Sequence, residues 1–134
     1  MTLKRKIANF SAVSFFVASL SILPSAVNAG CILYQHRDYG GAHWTLDHFE
    51  RMRMVRGENL GCTTNGHGGG CESTIHQPSW NDQVSSFKVT PGCTLTLWQH
   101  IDEQGARFRS SKSYRYVGSG WNDEASEALC MCRQ

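Results

Sequence analysis

The sequence predicts an all-β domain: a disulfide-bonded sandwich of two antiparallel sheets with Greek-key connections, built from two related halves. Three observations carry this. An internal duplication spans most of the chain, short β-like runs are punctuated by glycine turns, and six cysteines stand in a chain of 134 residues.

In chain order, residues 1–29 read as a secretory signal peptide. Lys4, Arg5 and Lys6 form a positive start, Ile7 to Leu23 is an apolar run, and Val27 and Ala29 offer small residues for cleavage before Gly30. A lipid anchor on Cys31 would want an aliphatic residue where Asn28 stands. The expectation is a secreted, extracellular protein whose mature part, residues 30–134, is one domain. The formal charge of +2 belongs to the signal, which holds three of the 13 basic residues and no acidic one. The remainder carries ten basic residues against eleven acidic, a net charge of −1. That balance offers no footprint for nucleic acid or anionic lipid, so neither nucleic acid nor membrane is an expected partner.

Residues Leu33–Trp44, "LYQHRDYGGAHW", align without a gap with Leu97–Phe108, "LWQHIDEQGARF". Each copy follows a Gly-Cys pair, Gly30-Cys31 or Gly92-Cys93, and each is followed by Trp-Asn-Asp-x-x-Ser, from Trp80 or Trp121. So many agreements at one offset mark a duplicated unit. The first unit covers about 31–90 and the second about 92–134, and eight short strands are expected. Leu95 and Leu97 alternate with Thr94, Thr96 and Trp98, as in a strand, and the segments "HWTLDHF" and "SSFKV" are rich in β-branched and aromatic residues. Gly40-Gly41, Gly57, Gly61, Pro91-Gly92 and Gly118 to Gly120 mark turns. An insert, residues 57–77, lengthens the first unit. Its six glycines make it entropically costly to order, which a disulfide would offset.

The cysteines are Cys31, Cys62, Cys71, Cys93, Cys130 and Cys132. An even number in a short exported chain reads as three disulfides, with 15 connectivities open. Cys62 and Cys71 flank the glycine-rich loop and could close it. Cys130 and Cys132 share one face of a strand, so they are better placed to reach Cys31 and Cys93 than each other.

At this point the chain resembles the βγ-crystallin family. Tyr34-x4-Tyr39-x-Gly41 matches the aromatic-x4-aromatic-x-glycine signature of its Greek-key motifs, and Asn81 to Ser86, "NDQVSS", matches its calcium loop. The second copy, "NDEASE", departs twice: Glu103 replaces the second aromatic and Glu127 the final serine. The C-terminal half is also similar to syncollin, through "CTLTLW", Phe108, Tyr114, "WND", Ser126 and "LCMC". The crystallin resemblance implies a βγ-crystallin-like sandwich and two Ca2+ sites, each shared between loops of both motifs. The implied site residues are Asn81, Asp82, Gln83 and Ser85 in the first loop, and Asn122, Asp123, Glu124 and Ser126 in the second.

The residue chemistry is compatible with this. Calcium takes six to eight oxygens in forgiving geometry. Asp82, Ser85 and the Gln83 carbonyl can supply oxygens from the first loop; Asp123, Ser126 and the Glu124 carbonyl can do so from the second. With few full charges, a dissociation constant of roughly 10⁻⁵–10⁻³ M is expected. The competing account is turn chemistry alone, since Asn, Asp and Ser cap nearby backbone amides without an ion. Glu127 either lends a carboxylate to the ion or forfeits the hydrogen bonds of the lost serine. Trp80 and Trp121 are expected as packing anchors. For His36 and His100, duplication by itself accounts for the pair, and His67 is expected in an exposed loop.

Nothing assembles into a catalytic set. There is no Gly-x-Ser-x-Gly elbow, no His-Glu-x-x-His and no phosphate loop, so an enzyme is not expected. Asp102 and Glu103 are expected in a solvated turn. The favoured expectation is a secreted, calcium-binding structural or binding module, monomeric, whose expected partners are calcium ions and a secreted protease or cell-surface ligand. One alternative is a peptidase inhibitor, presenting the Cys62–Cys71 loop to a secreted metalloproteinase. The other is a syncollin-like, granule- or membrane-associated protein, for which no amphipathic helix speaks.

Overall fold

The structure is a computed structural model describing residues 28–63 and 71–133. The expected signal peptide and His67 lie outside the described residues, apart from Asn28 and Ala29. Among the described residues there are nine strands and no α-helix: β1 Gly30–His36, β2 Gly40–Asp47, β3 Glu50–Arg53, β4 Leu60–Thr63, β5 Glu72–His76, β6 Ser86–Val89, β7 Cys93–His100, β8 Gln104–Ser110 and β9 Glu127–Cys132.

They form two sheets, ordered β2-β1-β6 and β4-β5-β3-β9-β7-β8. The first sheet comes from the first unit and the β9-β7-β8 part of the second from the second unit, but the units exchange a segment. β3 leaves its own unit to pair antiparallel with β9, setting Met52 opposite Ala128. In return Tyr114 forms a single bridge to Phe87 of β6. Each sheet therefore draws backbone pairing from both halves.

The strand count differs from the expected eight at two places. In the insert, β5 pairs parallel with β3 and antiparallel with β4, extending the second sheet. The second unit's third strand shrinks to the Tyr114 bridge. There the Ser113 hydroxyl accepts from the Val89 N–H at 2.9 Å, so a side chain satisfies the donor that a longer ladder would have used.

The core follows the period-two pattern. Cys31 and Leu33 of β1, and Leu95 and Leu97 of β7, point between the sheets with at most 1 % exposure. Leu46, Met52, Met54, Val84, Phe87 and Ala128 complete the filling. Phe87 packs against Phe108 and Tyr114, with ring centroids 5.8 and 5.4 Å away. Trp80 lies in the core, and the half-buried Trp121 stands edge-on to Phe108 at 5.7 Å.

Three disulfides join Cys31 to Cys130, Cys93 to Cys132 and Cys62 to Cys71. Cys130 and Cys132 do sit two apart on β9. The first reaches across the sandwich to β1, and the second reaches sideways to its register partner on β7. The Cys31–Cys130 bond spans 99 residues and ties one sheet to the other.

Candidate functional site

Each unit opens with a hairpin of unusual backbone. After His36, Asp38 and Tyr39 take φ of 56° and 62°; after His100, Asp102 and Glu103 both take 58°. The following glycines, Gly41 and Gly105, have φ of 75° and 77°. A Cβ on Gly41 would lie 2.5 Å from the His36 ring, and one on Gly105 2.9 Å from the His100 ring. The duplicated histidines thus cover glycines that have no room for a side chain, a role that duplication alone does not supply.

The first strand of each unit is bulged just before this hairpin, at Gln35 between Tyr34 and His36 and at Gln99 between Trp98 and His100. At the first bulge the Gln35 carbonyl accepts from the Ser85 hydroxyl at 2.7 Å. The bulge thereby connects the hairpin to the Trp-Asn-Asp-x-x-Ser loop.

The two loops answer each other almost atom for atom. Asp82 and Asp123 have φ of 56° and 59°, in the left-handed region that aspartate tolerates better than most residues. The Asp82 N–H donates to the Ala125 carbonyl at 3.0 Å, and the Asp123 N–H donates to the Val84 carbonyl at 3.3 Å. Each loop is thus held by the other, and Asp82 and Asp123 share one exposed corner rather than unrelated surfaces. The Asn81 amide donates to Asp82 Oδ2 at 2.8 Å, and the Asn122 amide donates to Asp123 Oδ2 at 2.7 Å. The two asparagines therefore orient carboxylates.

The oxygens group across the two loops rather than within one. Ser85 is buried, and its hydroxyl lies 3.5 Å from Asp123 Oδ1 of the other loop. The unit is thus Ser85 with Asp123 across the pseudo-twofold, with the Gln35 carbonyl beside them. Gln35 was missed in the sequence, although the recurrence of Gln at 35 and 99 was the available signal. The carbonyls of Gln83 and Glu124 accept no hydrogen bond among the described residues. Gln83, Glu124 and the two aspartates are exposed, whereas Ser126 is half-buried and its hydroxyl makes no hydrogen bond among the described residues.

Both departures of the second copy converge on one residue. In the first copy, Tyr39 packs on Tyr34 at 5.5 Å, and the Ser86 hydroxyl accepts from the Tyr39 N–H and donates to the His36 carbonyl. In the second, Glu127 replaces Ser86, and its Oε2 accepts from the Asp102 N–H at 2.6 Å, so a longer acceptor still ties down the hairpin. Its Oε1 pairs with Arg51 of β3, the strand exchanged from the first unit. Arg51 also bonds Glu72 at 2.5 Å and Glu103 at 2.8 Å, and its guanidinium lies 5.4 Å from the centre of the Trp98 ring. Arginine on Trp98, held by Glu103, thus stands where tyrosine packs on Tyr34 in the first copy. Burial by itself would lower the Arg51 pKa, but its bonds to Glu72, Glu103 and Glu127 outweigh this and raise it. Glu127 neither lends its carboxylate to the loops nor leaves the hairpin unbonded. Asp102 and Glu103, expected to be merely solvated, are pinned to Arg53 and Arg51.

No family model and no curated protein matches the chain, so the syncollin likeness rests only on the residues quoted above. Solved structures do match. A βγ-crystallin domain from Clostridium beijerinckii is 19 % identical with a TM-score of 0.52, over 76 % of this chain and 97 % of that one. One from Flavobacterium johnsoniae is 18 % identical, TM-score 0.52, over 77 % and 94 %. A clostrillin double mutant with two serines changed to histidine, in complex with nickel, is 20 % identical, TM-score 0.51, over 76 % and 97 %. Similarity over nearly the whole of those domains, at TM-scores of 0.51 and 0.52, gives this chain the βγ-crystallin fold.

Proposed function

We propose that the chain is an exported, non-enzymatic βγ-crystallin-type module that binds calcium at its two Asn-Asp-x-x-Ser corners. The observation that carries this reading is the approach of the Ser85 hydroxyl to the Asp123 carboxylate across the two loops. Side-chain and carbonyl oxygens from different parts of the chain converge there, with no nitrogen or sulfur donor, which suits a hard cation. The nickel-bound clostrillin carries two added histidines; the oxygen set here favours calcium instead. One centre would take Asp123, Ser85 and the Gln83 or Gln35 carbonyl. Its pseudo-symmetric counterpart would take Asp82, Ser126 and the Glu124 or Gln99 carbonyl. Bound calcium would lock together loops that already depend on each other, stabilising the fold by about 2.7 kcal/mol at a hundred times the dissociation constant.

Calcium titration of the oxidised protein, followed by calorimetry and thermal melting, tests this. A dissociation constant of roughly 10⁻⁵–10⁻³ M and a rise in Tm are expected. Asp82→Ala with Asp123→Ala abolishes both. A wild-type melting curve that calcium leaves unchanged removes the reading. The peptidase-inhibitor alternative depends on the tip of the Cys62–Cys71 loop, residues 64–70, which lies outside the described residues.

A further inference from the structure

The outer face of the second sheet holds a hollow of about 570 Å³ that none of the calcium-loop residues lines. Its composition is asymmetric. On β8, the edge strand of the sheet, Arg107 and Arg109 project to this same face, opposite Trp98 and Thr96 in register. Two residues apart on one strand, they are neighbouring like charges. Both are exposed, and among the described residues neither side chain makes a hydrogen bond or an ion pair. On the opposite wall the charges are already committed, because Arg51 is bonded to Glu72 and Glu103. Between the walls the floor is largely uncharged. Thr96 faces Leu129 on β9, and Thr94 faces Met131, which is 36 % exposed.

We infer that this hollow is a binding site for a small anionic amphiphile. Its acidic head, a carboxylate, sulfate or phosphate, sits between Arg107 and Arg109, and its apolar body lies over Thr96, Leu129 and Met131. Three features select this class. Uncommitted guanidiniums offer forked donors that match the planar or tetrahedral oxygens of an acid, and a bound anion relieves their mutual repulsion. Of the floor, Leu129 is half-buried and Met131 is 36 % exposed, so a hydrocarbon body laid over them removes apolar surface from water. The volume, about 570 Å³, lies in the range of small-molecule sites. The Arg51 cluster on the far wall, fixed by three carboxylates, supplies a rigid boundary that disfavours extension of a negative charge across the floor.

The test uses the oxidised protein in EDTA, so that its outcome is separate from that of the calcium reading. Octyl sulfate is titrated below its micellar concentration and followed by amide chemical shifts, with octyl glucoside, inorganic sulfate and vesicles of acidic phospholipid as parallel arms. Saturable binding of octyl sulfate is expected, with shifts centred on Thr96, Leu129 and Met131. Octyl glucoside and sulfate alone should each bind at least about tenfold more weakly, since each lacks one half of the recognition. Arg107→Ala with Arg109→Ala should weaken octyl sulfate by at least about tenfold while leaving the melting curve in place, because neither side chain supports the fold. Leu129→Asn should weaken it without touching the charge. Equal affinity for octyl glucoside, shifts centred elsewhere, or an unaffected double arginine variant would each overturn the assignment. Capture of acidic vesicles without a response to monomeric octyl sulfate would overturn it in favour of a membrane surface.

Discussion

Replacing Arg51 by methionine isolates the device that accommodates both unusual glutamates of the second copy. Methionine keeps much of the stem volume over Trp98 but removes the guanidinium. Glu127, 1 % exposed, then retains only the Asp102 N–H as its partner, and Glu72, 9 % exposed, loses its bond to Arg51. Glu103 is 54 % exposed, so water replaces much of what it loses. Breaking a buried pair by removing one member typically costs about 3–5 kcal/mol, because a charge is left buried without compensation. At about 4 °C per kcal/mol for a domain of this size, Tm should fall by about 12–20 °C. Differential scanning calorimetry in EDTA, with the disulfides intact, reads this without interference from calcium. Glu127→Gln added to Arg51→Met should recover part of the loss, since the neutral amide can still accept from Asp102. A double-mutant cycle between the two positions should show coupling above about 1 kcal/mol. If Arg51→Met lowered Tm by only a few degrees, or if the cycle showed no coupling, the account of Glu103 and Glu127 as a joint exchange around Arg51 would be wrong.

The disulfides should differ in weight. Cys31→Ser with Cys130→Ser opens a 99-residue link between the sheets and should cost about 4–5 kcal/mol, whereas Cys62→Ser with Cys71→Ser opens a separation of nine and should cost about 2–3 kcal/mol. Denaturant unfolding of the two variants gives the order, and an inverted order would refute it. Export predicts a mature product beginning at Gly30; N-terminal sequencing of the material released from the producing cell checks this, and an intact Met1 would count against it.

Much of the local plan was legible in the sequence, for reasons of short range. Alternating residues such as Leu95 and Leu97 disclose a strand face because side chains alternate every residue, whatever the strand later pairs with. Gly41 and the Asp82 and Asp123 positions disclose turns because left-handed backbone restricts the residue type. Cys130 and Cys132, two apart, were readable as neighbours on one face.

The insert was less legible. Its glycines announced a loop, yet Leu60–Thr63 and Glu72–His76 pair as strands, and β5 lies parallel to β3. Parallel pairing is set by the edge that happens to be free, which local pattern does not encode. The same holds for Ser85. The resemblance implied sites shared between the loops, but it took the reciprocal clasp of the loops to set Ser85 against Asp123.

The sequence by itself determined a duplicated all-β chain, its turn chemistry and its candidate oxygen ligands, since these depend on residues within a few positions of each other. Tertiary structure decided that β3 and Tyr114 change sides, that Ser85 meets Asp123, and that Glu103 and Glu127 meet on Arg51. Those contacts join residues 27 to 80 positions apart. Their partners are selected by which buried charges and backbone groups remain to be satisfied once the sheets pack, and no local pattern carries that information.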